Sequence, residues 1–187
     1  MLGVLCHDLG KPPTTREIGG RLRSYDHEGA GVAPAENLLD RLNVHTLDGF
    51  DVRGAVKALV ADHLKPWLFY EERARVKDGA FRRLARRCDL DLLYRVAKAD
   101  ARGRRSAVSR EAGEEPHEWF RRRAKELEVV HRAPPPILRG RHLLEMGLAP
   151  GRRIGEIVES VYELQLDGAV ASLEEAQAVA RRLLEGR

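Results

Sequence analysis

Cysteine is almost missing from this sequence: Cys6 and Cys88 are the two among 187 residues, and they stand in no CxxC spacing. A disulfide framework is therefore excluded, and reduced thiols are expected. No apolar run approaches the roughly 18 residues that a membrane span needs. The short apolar start MLGVLC has neither the length nor the cleavage motif of a signal peptide. A cytoplasmic protein with no membrane partner is expected. Also missing are internal repeats and any stretch where apolar and polar side chains alternate long enough to make a convincing strand. Neither charge dominates, since 33 Lys+Arg against 29 Asp+Glu leaves a net charge of +4.

What is present is a core and a helical rhythm. At 43% hydrophobic and 33% charged, the chain can bury a core and is not disordered throughout. Its length is that of one domain, or one with a small appendage. Leu38, Leu39 and Leu42 repeat at helical spacing in a segment ending before Asn43. Val52, Val56, Leu59 and Val60 do so in the next, which Lys65-Pro66 stops just after His63. Further helices are predicted over 78–87, 89–101 and 114–131, the last with its apolar stripe in Trp119, Phe120, Leu127 and Val130. The stretch RGRRSAVSREAG reads as a polar loop, and Ala133-Pro134-Pro135-Pro136 as a stiff linker that no helix can cross. Residues 1–132 and 133–187 are thus the expected domains. In the second, Gly147 caps a short helix, another runs from about 152 to 166 and stops at Asp167-Gly168, and Ser172 with Glu175 forms a capping box. The expected fold is all-α, a helical bundle with a small helical tail and no sheet of more than two strands.

Chemistry concentrates in a few places. Arginines cluster at 82–87, 102–105, 121–123 and 139–141, which permits a phosphate-bearing partner. His7-Asp8 is an adjacent imidazole and carboxylate followed by Leu9-Gly10-Lys11, where Gly10 is placed to end the helix and leave Lys11 on a loop. Neighbouring side chains on one helix can reach the same ion from two sides. A mixed N/O set suits Mn, Fe, Co, Ni or Zn better than Ca, with Mg also admissible. The dipeptide alone points to a cap or a core position rather than to a metal. His27-Glu28 follows Ser24-Tyr25-Asp26, His63 closes Ala61-Asp62-His63, and Asp100 lies in VAKADARGR. Groups on separate helices are how a bundle converges ligands on one point. Each has a structural alternative, His63 as a helix-dipole partner and Asp100 as the ion-pair partner of Arg102 or Arg104.

In order, CHDLGK, HE, ADH and KADARGR resemble the HD-domain superfamily of metal-dependent phosphohydrolases. LCHDLGKPPTT, YDHEGAG and AKADARGR are similar to the HD region of bacterial CCA-adding enzymes, the tRNA nucleotidyltransferases. RGRHLLEMGLAPGRRIGEIVESVYELQLDG resembles the carboxy-terminal tail of those and of poly(A)-polymerase-like proteins. The resemblance implies that His7 and Asp8 are metal ligands, that Asp100 is the ligand from a later helix, and that His27 and His63 hold a second metal or contact phosphate. Asp8 is then the bridge and, with Lys11, the catalytic candidate. Lys11, Arg102 and Arg104 would supply further positive charge. The implied substrates are 2′,3′-cyclic phosphates, 2′-nucleotides, phosphomonoesters or RNA ends, with tRNA as a partner.

Two departures from the family pattern stand out. HD proteins of this type draw a first metal histidine from a helix well before the HD pair, and here Met1 to Cys6 precede it. The nucleotidyltransferase head, with its paired carboxylates and Gly-Ser motif, has no counterpart in the sequence, so nucleotide addition is not expected of this polypeptide. A homodimer or a separate head would be the partner that completes it. The second departure is Pro34, where the helix after His27-Glu28 either starts anew or kinks. In the tail, GLAPGRRIGEI opens a helix with Arg152 and Arg153, a geometry that favours RNA phosphate, although Ile154, Ile157, Val158 and Val161 give the same helix a packing face. Trp67, Phe69 and Tyr70 either stack a base or cover a core edge. His45, His117, His131 and His142 fit no ligand pattern and are assigned to surface or structural positions. Three readings stay open: a phosphohydrolase, a non-catalytic RNA-binding module split from a tRNA-processing enzyme, and an incomplete gene product.

Overall fold

The computed structural model describes residues 1–103 and 113–185. The chain is all-α in character, about 62% helical, and its two sheets have two strands each. Among the described residues no helix is long and apolar enough to cross a membrane. The chain divides into two compact units, residues 1–76 with 85–132, and residues 77–84 with 133–187.

The first unit opens with α1 (Leu2–Cys6) and α2 (Lys11–Thr14), then the hairpin β1 (Thr15–Ile18) and β2 (Arg21–Ser24). Gly19 and Gly20, both at positive φ, make the two-residue turn of this hairpin. Next come α3 (His27–Ala30), α4 (Val32–Arg41), the short hairpin β3 (Thr46–Leu47) and β4 (Phe50–Asp51), and α5 (Val52–Asp62). Pro34 lies in the first turn of α4, so the helix starts anew after Gly31, at a position where a missing N–H costs nothing. Likewise α5 stops at His63, and Pro66 sits in the first turn of a separate helix, α6 (Lys65–Glu71). Cys6, Ala35, Leu39, Val56 and Val60 form a buried cluster that packs α1, α4 and α5 together.

Helix α7 (Asp78–Ala85) belongs to the second unit except at its last residue. In the first unit again, α8 (Leu90–Gly103) and α9 (Glu115–Glu126) pack on each other and on α6. Helix α8 extends two residues past the predicted end, and residues 104–112 of the predicted polar loop lie outside the described residues. Helix α9 is shorter than predicted: Glu128 adopts φ 57°, and the Val130 carbonyl accepts from Leu90 N, so the chain turns back there.

The second unit holds α10 (Gly140–Glu145), α11 (Arg152–Leu166) and α12 (Leu173–Glu185) around Leu138, Leu143, Ile157, Val161, Val170, Ala176 and Ala180. The triproline segment is pinned along α11. Tyr162 Oη donates to Pro134 O at 2.7 Å, Gln165 Nε2 donates to Pro135 O at 3.0 Å, and Ile137 N donates to Gln165 Oε1 at 2.9 Å. Arg83 on α7 clamps the same helix through Glu163 and Asp167, each at 2.6 Å.

Candidate metal centre

Five of the predicted ligand residues meet in the first unit. His7 follows α1, with Asp8 in the turn after it. His27 opens α3 behind Asp26, whose φ of 57° turns the chain out of the hairpin. His63 caps the end of α5, and Asp100 stands on α8. The contacts knit two groups that share Asp8. His7 Nε2 lies 3.3 Å from Asp8 Oδ2 and 3.4 Å from Asp100 Oδ1. His27 Nε2 lies 3.5 Å from Asp8 Oδ1 and 3.2 Å from His63 Nε2. In each of the sets Asp8, His27, His63 and His7, Asp8, Asp100, the ligand atoms all lie within 4.8 Å of one another, close enough to hold an ion.

One device orients all three imidazoles. His7 Nδ1 bonds Val4 O at 2.7 Å, His27 Nδ1 bonds Ser24 O at 2.8 Å, and His63 Nδ1 bonds Val60 O at 2.8 Å, each carbonyl three residues earlier. A carbonyl accepts only, so Nδ1 carries the proton and Nε2 of the neutral ring is a bare lone pair aimed inward. For His27 and His63 two such lone pairs face each other at 3.2 Å, which calls for a proton or a cation between them. His7 Nε2 and Asp8 Oδ1 are buried and make no hydrogen bond. These orphaned acceptors, with the mixed N/O donor set, fit a divalent transition metal.

The electrostatics differ across the cluster. The Asp100 carboxylate beside His7 raises that imidazole above its ordinary range, against an opposing effect of burial. Burial lowers His63, which keeps its ring neutral and able to ligate. Lys11 Nζ donates to Asp8 Oδ2 at 2.6 Å and brings an ammonium to the edge of the cluster. Burial pushes the Cys88 thiol up to about 12, and raises Cys6, so neither offers a thiolate ligand at neutral pH.

Gly10 does not end the first helix and leave Lys11 on a loop, as its place in the sequence suggests: α1 stops at Cys6, and Gly10, at φ −84°, is the N-cap of α2, which Lys11 opens ahead of Pro12. What it provides is a close approach. A Cβ there would stand 1.9 Å from His27 O and 2.6 Å from Gly31 N. The bare Cα lets the turn carrying Asp8 press against α3 and bring Asp8 to His27.

The arginines predicted to bind phosphate do not join the cluster as a set. Arg102 stands two residues beyond Asp100, but its Nε donates to Glu114 at 2.9 Å. Arg104 lies outside the described residues. In the second unit, Arg152 pairs with Glu156 at 2.8 Å, and Arg153 reaches the carbonyls of Leu183 and Leu184 at 3.4 Å, so the two diverge from one helix start. Of the aromatic group, Phe69 packs on Phe120 and Tyr70 on Trp119. Trp67 lines a cavity of about 20 Å³ with His63, Ala97, Asp100 and His117, room for a single water and not a base.

His117 is the neighbour that sequence reading set aside. It is 4% exposed and borders the candidate ligands His63 and Asp100 through that cavity. The available signal was its spacing: His117, Phe120 and Ala124 share the buried face of α9. His45 and His131 are exposed beside Asp40 and Asp89, and His142 is buried at the start of α10, where its Nδ1 accepts from Arg139 N at 3.2 Å.

Comparison with known proteins agrees in direction. The chain is 34% identical over 188 aligned positions to an A-adding tRNA nucleotidyltransferase of Deinococcus radiodurans, covering 97% of this chain and 41% of that protein. It is 33% identical over 133 positions to a multifunctional CCA protein of Actinobacillus pleuropneumoniae, covering 67% of this chain and 30% of that protein. The chain is a relative of CCA-adding enzymes. It spans less than half the length of the curated relatives it matches. No family model and no solved structure matches it.

Proposed function

We propose that the chain is a metal-dependent phosphohydrolase of the HD type, acting on 2′,3′-cyclic phosphates, 2′-nucleotides or RNA ends in connection with the CCA end of tRNA. The observation that carries this reading is the convergence of three Nε2 atoms and two carboxylates with Asp8 common to both groups. His7, Asp8 and Asp100 would hold one divalent ion, and Asp8, His27 and His63 a second; Mn, Co, Ni, Fe and Zn suit the donors, and Mg is admissible. When bound, such ions supply Lewis acidity to a phosphoryl oxygen and lower the pKa of water.

The chain's own groups do the rest. The Val4, Ser24 and Val60 carbonyls hold the imidazoles in the ligating tautomer. Lys11 Nζ, anchored on Asp8, presents its remaining protons to an anionic phosphate oxygen. Arg102, once released from Glu114, adds positive charge two residues beyond Asp100, and Arg104 would add to it. Residues 1–132 carry the site, and the tail at 133–187, with Arg152 and Arg153, contacts RNA phosphate. The protein works in the cytoplasm, as a homodimer or beside a separate nucleotidyltransferase head.

The test is hydrolysis of 2′,3′-cyclic AMP by the full chain with Mn, Co or Ni, expected to stop with EDTA and to fall about 100-fold or more in Asp8→Ala, since loss of a ligand exceeds the 10–100-fold of an outer-shell change. Turnover indifferent to both would place the chemistry elsewhere. The second reading, a non-catalytic tRNA-binding module, is favoured by a match that covers 97% of this chain within 41% of its relative. It predicts RNA binding without turnover under every metal.

A further inference from the structure

Arg16, Arg21 and Arg23 on the β1–β2 hairpin are all exposed and make no ion pair among the described residues. Elsewhere in the first unit arginines are mostly neutralised: Arg53 by Asp40, Arg87 by Asp62, Arg95 by Asp91 and Arg122 by Glu115. Side chains alternate along a strand, and cross-strand partners share a face. The register Arg16 opposite Arg23 and Ile18 opposite Arg21 therefore gathers all three guanidinium groups on one face. Thr15, Glu17, Leu22 and Ser24 occupy the other. Arg16 and Arg23 are direct cross-strand partners, a like-charge pair that destabilises a hairpin unless an anion lies over it. Tyr25, 61% exposed, follows with the Arg23 guanidinium carbon 6.0 Å from its ring centre.

The hairpin is also rooted in the metal centre. Thr15 Oγ1 donates to Lys11 O at 2.7 Å, and Ser24 O accepts from His27 Nδ1 at 2.8 Å. It is the connection between the two ligand segments. We propose that the Arg16, Arg21, Arg23 face, with Tyr25 as a stacking platform, docks the phosphate backbone of single-stranded RNA. Only the fate of the RNA end, delivered to Asp8 and its partners, rests on the hydrolytic reading above.

The experiment is fluorescence anisotropy of a labelled single-stranded RNA ending in CCA, titrated with the full chain in EDTA so that turnover plays no part. Each phosphate neutralised on a single strand contributes about −0.7 to the slope of log K against log salt. Arg16→Gln, Arg21→Gln and Arg23→Gln together should reduce the steepness by about 2 and weaken binding at least about 10-fold at low salt. The triple Arg→Lys variant should keep the slope, Tyr25→Ala should weaken binding with the slope intact, and Arg95→Ala with Arg122→Ala should change neither. Unchanged affinity and slope in the triple Gln variant would overturn the proposal. So would failure of the wild type to bind this RNA, or its binding to phosphatidylserine vesicles in preference to it. Loss of cyclic-phosphate hydrolysis with hairpin binding intact would overturn only the hydrolytic reading.

Discussion

Replacing Gly10 by alanine adds one methyl group at the point where two backbone segments touch. Its carbon would stand 1.9 Å from His27 O and 2.6 Å from Gly31 N. Unbonded carbon settles near about 3.5 Å, so the turn must retreat by about 1.6 Å. Both obstacles are backbone, and no rotamer can give way. Overpacking costs about 1–3 kcal/mol where side chains can adjust, so about 3 kcal/mol or more is expected here. For a chain of this size that is about 6–12 °C in Tm. The same retreat parts Asp8 from His27, now 3.5 Å apart, and should weaken Mn binding by about 10-fold or more. Gly29→Ala is the matched control. It lies in α3 with nothing within 4 Å of an added Cβ, and should stabilise by about 0.4–1 kcal/mol. Thermal and urea melts with Mn calorimetry read all of this. A Gly10→Ala protein melting within about 2 °C of wild type with Mn affinity unchanged would refute the close approach as the device that builds the site.

Two further perturbations test the frame around the site. Asp62 is buried, its carboxylate held by Arg87 through bonds of 2.9 Å each. Arg87→Ala should cost about 2–4 kcal/mol in a urea melt, at the lower end because Arg87 is half exposed, and adding Asp62→Asn should recover part of it; a double variant weaker than the single would refute this. Lys57 depresses Glu36, Arg53 depresses Asp40, Lys98 depresses Glu114 and Arg83 depresses Asp167. Depressed carboxylates contribute stability that is complete above the ordinary carboxylate range and is lost as pH falls through their folded values. Tm should therefore hold from pH 7 to about 5 and decline below about 4.5, and a Tm constant to pH 3 would contradict it.

The helices were legible because their apolar residues recur at 3.6, as Val56, Leu59 and Val60 do on the buried side of α5. Neither hairpin shows in the apolar pattern, although each carries its turn in the sequence, Gly19-Gly20 and Asp48-Gly49, with positive φ at all four residues. Their strands are too short and too exposed for apolar alternation to register. The candidate ligand residues are gathered by motif order, but their pairing is not. That His27 faces His63 while His7 faces Asp100 depends on α3, α5 and α8 packing together, which no local pattern encodes. Arg102 shows the converse: its neighbourhood to Asp100 suggested a shared task, and Glu114, twelve residues on, takes it instead.

The cluster is also an argument about why the fold keeps it. Buried acceptors without hydrogen bonds cost about 1–3 kcal/mol each, and His7 Nε2 and Asp8 Oδ1 are two of them. The opposed Nε2 atoms of His27 and His63 add a repulsion that apolar side chains of similar volume would remove. A bundle needing only stability would gain by that replacement. The neighbouring core shows that the sequence packs cleanly where it can, with Cys6, Ala35, Leu39 and Val60 fully buried around the same helices. Unmet acceptors gathered where His7, Asp8, His27 and His63 meet are what a site shaped for a ligand would show. A cation among them would relieve His7 Nε2, Asp8 Oδ1 and the opposed imidazoles together, and the ammonium of Lys11 already stands 2.6 Å from Asp8.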